Sequence, residues 1–208
     1  MLTKHKTSNI SPLVVHDTLQ KKKITLFTPD EFSRVFKSPA RQSRYFLETY
    51  TKHGLLVRLR KGLYALKEMI PNEEVIANAL YQPSYISLEY ALSRYGIIPE
   101  MPYTITSVTT KITTVFTALG RDFSYQKIKK SAYTGYIPEE VGRRTIFIAT
   151  PEKALVDYLY FVSLGKKTVN NRLSFDRLDV KKIRAYGKLY NRPRLDALIN
   201  DVLANKKP

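Results

Sequence analysis

The chain of 208 residues contains no cysteine. That absence excludes disulfides, thiol catalysis and cysteine-based zinc sites together. Histidine is nearly as scarce: His5, His16 and His53 are scattered, with no metal-ligand spacing between them. His53 falls at an expected helix end, where an imidazolium complements the dipole. The eight glycines never form GxGxxG or a phosphate loop. No serine stands in a nucleophile elbow, and no paired carboxylates precede a catalytic lysine. Glu139-Glu140 lies beside Pro138 in an expected loop. Catalysis has no positive support, so no enzyme, cofactor or metal is expected. No apolar run approaches the roughly 18 residues of a membrane span. Met1-Leu2-Thr3-Lys4-His5-Lys6 is not followed by an apolar stretch of signal-peptide type. A cytoplasmic protein without membrane contact is expected.

Positive charge is what the chain has in excess. The net charge is +17, beside a hydrophobic content of 43% that suffices for a packed core. Such a charge implies a polyanionic partner, nucleic acid being the commonest, although a merely basic surface produces the same number. Its distribution is more informative. Residues 1–70 hold 14 Lys and Arg against 5 Asp and Glu, residues 71–140 hold 6 against 7, and residues 141–208 hold 15 against 6. A basic head and a basic tail flank a neutral middle, and two anion-facing surfaces are therefore conceivable.

Residues 13–21 read as a first helix, with Leu13, Val14 and Leu19 offered to its buried side, and Ile24 to Phe27 as a short extended segment. Thr28-Pro29-Asp30-Glu31 is a helix start: a cap, a proline for the first position, and two acids at the positive end of the dipole. Ser38-Pro39 opens a third helix in the same way, running to about His53 and ended by Gly54. Val57 to Arg60 alternates apolar and basic residues as a half-buried strand does. Lys61-Gly62 supplies a tight turn, and an apolar return strand follows. Three helices and a hairpin in that order predict a winged helix-turn-helix of about 60 residues.

Pro71 marks the expected boundary between a DNA-binding domain at 1–70 and an α+β domain at 71–208 with a basic helical tail. In the second domain the pattern predicts helices at 72–81 and 84–95. Strands are expected at 103–110, 121–130 and 144–149. A helix follows Thr150-Pro151-Glu152, and two more close the chain at 179–190 and 193–205. The fold class expected for the whole is α+β.

At about 100° per residue, Ser43, Phe46, Leu47 and Tyr50 of the third helix share one side. Arg41, Tyr45, Glu48 and Lys52 share the other, with Gln42, Arg44 and Thr49 on the flanks. In a helix-turn-helix the N-terminal part of this helix enters the major groove, so Arg41, Gln42, Arg44 and Tyr45 would be presented to bases. Arg pairs bidentately with guanine and Gln with adenine. A solvated helix face carries the same residue types. The hairpin adds weight, because Arg58 and Arg60 fall on one strand face with Lys61 at the tip, suited to phosphates or a minor groove. A second anion surface is offered by Lys181, Lys182, Arg184, Lys188, Arg192 and Arg194, interleaved with Tyr186 and Tyr190. Aromatics among cations stack on unpaired bases, so an RNA-binding regulator is the alternative. Tyrosines packing inward would be the structural explanation of the same pattern.

The segment Arg60-Lys61-Gly62-Leu63-Tyr64 resembles the N-terminal domain of AbiEi-type antitoxins. So do Ile76-Ala77-Asn78-Ala79-Leu80, Tyr85-Ile86-Ser87-Leu88-Glu89-Tyr90-Ala91-Leu92, Thr106-Ser107-Val108-Thr109-Thr110-Lys111 and Ile148-Ala149-Thr150-Pro151-Glu152-Lys153-Ala154-Leu155-Val156-Asp157. The resemblance covers about residues 10–165. It implies a repressor that binds double-stranded operator DNA at repeated sites and regulates its own operon. It also implies an antitoxin of a type IV toxin–antitoxin, or abortive-infection, system. Such an antitoxin antagonises a nucleotidyltransferase-like toxin without a stable complex. The same strings have plain structural readings, a helix N-terminus at Thr150 and a strand at 104–110 with Ile105, Ser107 and Thr109 on one face and Thr104, Thr106, Val108 and Thr110 on the other.

Overall fold

The computed structural model describes residues 10–174 and 177–204. His5 and the last residue of the expected closing helix, 205, lie outside them. The chain divides into two compact units, Met1–Asn72 and Glu73–Pro208, and both helices and strands occur in each, so the protein is α+β.

The first unit runs α1 (Pro12–Lys21), β1 (Leu26–Phe27), α2 (Pro29–Phe36), α3 (Ala40–Lys52), β2 (Leu56–Arg60) and β3 (Leu63–Leu66). Its sheet is antiparallel with β3 between β1 and β2. Local chemistry fixes α2. Thr28 accepts from the Glu31 amide while the Glu31 carboxylate accepts from the Thr28 amide at 2.7 Å, a reciprocal capping box. The core is Val15, Leu19, Phe27, Phe32, Phe46, Leu47, Leu56, Tyr64 and Leu66. Phe32 sits at its centre, touching the rings of Phe27, Phe36 and Phe46. Each such buried ring contributes about 1.5–3 kcal/mol.

Two details depart from the pattern. The buried face of α1 is Val15 and Leu19, at i and i+4, whereas Leu13 and Val14 are 70% and 54% exposed. Leu13-Val14-Val15 offers apolar carbon to two faces, and packing against the three-helix core selects one. Ser38 does not cap α3, and Pro39 occupies the cap position itself. The Ser38 hydroxyl turns inward to the buried Ser43 hydroxyl, which also accepts from Ser33 at 2.8 Å. These three serines pin α2 against α3 across the left-handed Lys37.

The second unit is built on a six-stranded mixed sheet, ordered β6 (Thr114–Ala118), β7 (Arg121–Lys127), β5 (Ile105–Thr109), β4 (Ser84–Ile86), β9 (Arg144–Ala149) and β8 (Tyr136–Val141). Its helices are α4 (Glu73–Leu80), α5 (Leu88–Arg94), α6 (Pro151–Ser163), α7 (Val180–Lys188) and α8 (Pro193–Ala204). The expected helix at 84–95 therefore begins as a strand. Ser84–Ile86 pairs with both β5 and β9 in the middle of the sheet, and only Leu88–Arg94 is helical. Glu139 and Glu140 lie in the edge strand β8 rather than in a loop. There Thr145 donates to Glu140, and Arg94 pairs with Glu139. All five residues of β5 are buried, so both faces of the strand are covered.

Helix α6 is buried nearly all round and carries an enclosed polar cluster. Lys153 and Asp157, both fully buried, form an ion pair one turn apart. Asp157 also accepts from Tyr85 at 3.0 Å, from Ser87 at 2.8 Å and from Tyr190. The Lys153 ammonium lies 5.0 Å from the Tyr190 ring centre and donates to its hydroxyl at 3.2 Å. Tyr190, in the α7–α8 junction, stacks on Tyr160. The cluster therefore ties the sheet, α6 and the closing helices together.

Burial pushes the Tyr85 and Tyr190 hydroxyls well above the ordinary phenol value, and the nearby Asp157 charge pushes them further. Desolvation lowers Lys153, against the pull of Asp157. The folded state thus holds two phenol protons that the unfolded chain releases near pH 10, and stability from them is present below that pH and lost as pH rises beyond it. Lys153 has the opposite sign, gaining stability with pH only up to the unfolded lysine value of about 10.5. We expect a falling stability above about pH 10, with Tyr85 and Tyr190 ionising later than ordinary phenols, as do the half-buried Tyr90 and Tyr133, each pushed up to about 12 by burial. Ultraviolet titration beside denaturant melts checks this. Ionisation of every tyrosine at the ordinary phenol value in the folded protein would contradict it.

Candidate nucleic-acid interface

Helix α3 is positioned from behind by Ser43, Phe46 and Leu47, all buried. It ends where Gly54 takes φ +78°, allowing the Leu55 amide to reach back to the Tyr50 carbonyl at 3.0 Å. Arg41, Arg44, Tyr45, Glu48 and Lys52 are left exposed on the other side, Tyr45 by 70%. Gln42 is only half-buried and not free, since it makes a contact of its own. The helix thus brings Arg41, Arg44, Tyr45 and Lys52 together on an open surface, with Gln42 at the margin.

The hairpin differs from the simple alternating strand. The pairing slips between Arg58 and Arg60, so that Arg58 faces Tyr64 and Arg60 faces Leu63. This bulge buries Leu59 and leaves Arg58 exposed. Arg60 is half-buried: one guanidinium nitrogen donates to the Lys61 carbonyl at 2.8 Å, and its enclosed Nε has no partner. Arg58 and Arg60 are therefore not equivalent cations on one face, as strict alternation predicts. Lys61 is exposed at the turn, and Gly62 supplies the φ of +80° that the turn needs.

Both units carry exposed cations, and the first holds fewer ion pairs than the second. In the first, ion pairs among the described residues are confined to His16, which meets Glu68 at 3.0 Å and Asp17 at 3.3 Å; these raise its pKa. Arg41, Arg44, Lys52, Arg58 and Lys61 have no carboxylate partner there. In the second, Arg94, Arg121, Lys153, Lys167 and Arg172 are matched to carboxylates, while the exposed Lys181, Lys182, Arg184, Lys188 and Arg194 have no ion pair among the described residues. Exposed cations without carboxylate partners create a positive field that a polyanion neutralises.

Between the end of α3 and the hairpin lies an open-sided cleft of about 700 Å³. It is lined by Glu48, Thr51 and Lys52 from α3, by Val57 and Arg58 from β2, and by Tyr64 and Lys67. Lys67 escaped the sequence reading because a lone charge after an apolar strand carries no signal. Antiparallel pairing brings it to the cleft, its amide donating to the Leu55 carbonyl at 3.0 Å.

On α7, Lys181, Arg184 and Lys188 are exposed and fall on one stripe opposite the buried Ile183 and Gly187, and Lys182 and Arg194 are exposed as well. Arg192 does not belong to this surface. Its guanidinium closes the end of α6, donating to the Ser163 hydroxyl and carbonyl at 2.9 Å each. Tyr190 is wholly buried, so it is a packing residue and not a platform for bases. Among the described residues no group of three or more metal-ligating side chains converges, and no helix is long and apolar enough to cross a membrane. No protein-family model and no curated protein matches the chain.

Proposed function

We propose that the first unit is a winged helix-turn-helix that binds duplex DNA, and that the protein acts in the cytoplasm as a transcriptional repressor without catalysis. One observation carries this reading: Arg41, Arg44, Lys52, Arg58 and Lys61 are exposed on α3 and its adjoining hairpin without an ion-pair partner among the described residues, and Lys52 and Arg58 line one cleft. The order helix, strand, helix, helix and hairpin, with β3 central, supports the same reading. Arg41 and Arg44 are the base-reading residues in this proposal, and Arg58 and Lys61 engage phosphates. The resemblance to AbiEi-type antitoxins supports the wider role, self-repression at repeated operator sites and antagonism of a nucleotidyltransferase-like toxin by the second unit. The RNA-binding alternative loses one of its two stacking rings with the burial of Tyr190.

Arg44→Ala tests the base-reading role. The side chain is exposed, so the fold is expected to survive. Affinity for the DNA upstream of the reading frame should fall by about 1–3 kcal/mol, with less effect on unrelated duplexes. A titration beside a thermal melt measures both. Unchanged affinity in a folded variant would remove α3 from base recognition.

A further inference from the structure

The cleft beside α3 presents three cations, Lys52, Arg58 and Lys67, to one volume. None of them has an ion-pair partner among the described residues, and each side chain is exposed. Like charges gathered round a concave surface raise the local potential, so the cleft favours an anion. Its size and walls narrow the class. About 700 Å³ is far more than a free phosphate ion fills. Val57, half-buried on its lining, gives it apolar carbon suited to the carbons of a sugar. Thr51 is not free to donate, because its hydroxyl is committed to the Leu47 carbonyl at 2.7 Å. Recognition therefore rests on the cations. Glu48 is the single acid on the lining, leaving a local excess of two positive charges.

The cleft is continuous with the outward face of α3, because Glu48 and Lys52 belong to both. We infer that it seats a stretch of the sugar–phosphate backbone of the duplex, with Lys67, outside both the reading helix and the hairpin strands, as a phosphate-binding residue. This rests on the reading of the first unit as a duplex-binding module. Lys67 lies on the short turn after β3, its backbone fixed by the Leu55 carbonyl. Its ammonium therefore starts from a constrained anchor, which limits the ordering cost of a contact.

The test compares full-length wild type, Lys67→Ala, Lys67→Arg and Arg44→Ala on a mixed-sequence duplex and on the upstream duplex, over a salt series. Lys67→Ala should lower affinity for both duplexes alike, by about tenfold at low salt. Its log–log salt slope should flatten by about 0.9, the signature of one lost phosphate contact. Lys67→Arg should restore the slope. A merely structural role for Lys67 would lower the melting temperature and leave the slope unchanged. If Lys67→Ala matches wild type in affinity and slope while Arg44→Ala is weakened, the cleft inference is overturned and the DNA-binding reading stands. If wild type binds neither duplex, the reading fails and takes the cleft with it.

Discussion

Asp157→Ala is expected to cost about 3–5 kcal/mol of stability, the usual consequence of removing one partner from a buried ion pair. Asp157 is fully buried and accepts from Lys153, Tyr85, Ser87 and Tyr190. Alanine leaves a buried ammonium without a counter-charge and three hydroxyls without their acceptor. Domains are typically stable by about 5–15 kcal/mol, so the loss is a large share of the total. The double variant Lys153→Met with Asp157→Leu should lose less than Asp157→Ala alone, because both charges leave together and apolar volume replaces them. Denaturant melts of the three proteins measure this directly. A loss under about 1 kcal/mol for Asp157→Ala would mean that water reaches the site and that the cluster is not the closed junction described.

Replacing Arg58, Arg60 and Lys61 together with alanine should weaken binding to every duplex alike, by roughly 10- to 100-fold at low salt. The three are not expected to contribute equally. Arg58 and Lys61 are exposed and unmatched, whereas Arg60 already donates to the Lys61 carbonyl and is half-enclosed. The log–log salt slope should therefore flatten by about two contacts' worth, roughly 1.8, rather than three. Buried Leu59 and Gly62 are untouched, so the hairpin should persist, as a thermal melt would report. A loss confined to one sequence with an unchanged slope would mean that the hairpin reads bases or groove shape.

The parts of the fold legible in the sequence are those fixed by short-range chemistry. Thr28 and Thr150 each accept from the amide three residues on, and each is followed by proline, so both helix starts stand in the sequence itself. The two faces of α3 follow from its period, and that is why Arg41, Arg44, Tyr45 and Lys52 could be placed outward. Strands of a few residues are different. Ser84–Ile86 is a strand because Tyr85 pairs with Val108 and Ile86 with Ile148, partners far along the chain. Strands β6 and β8 went unforeseen for the same reason, since each exists only beside β7 or β9. At the site, the slip between Arg58 and Arg60 depends on the register with Leu63 and Tyr64 and leaves no mark on the alternation. Arg192 reads as one more tail cation, and only the packing of the α7–α8 junction on α6 turns it toward Ser163.

The most direct test of the central claim is the dissociation constant of the full-length protein for duplex DNA across a salt series, beside a single-stranded RNA of equal length. Lys52, Arg58, Lys61 and Lys67, with help from α3, should contact about four to six phosphates. A log–log slope between about −3.5 and −5.5 is therefore expected, with duplex DNA bound more tightly than RNA at every salt concentration. No measurable duplex binding, a slope near zero, or a preference for the RNA would contradict the assignment of the first unit as a DNA-binding module.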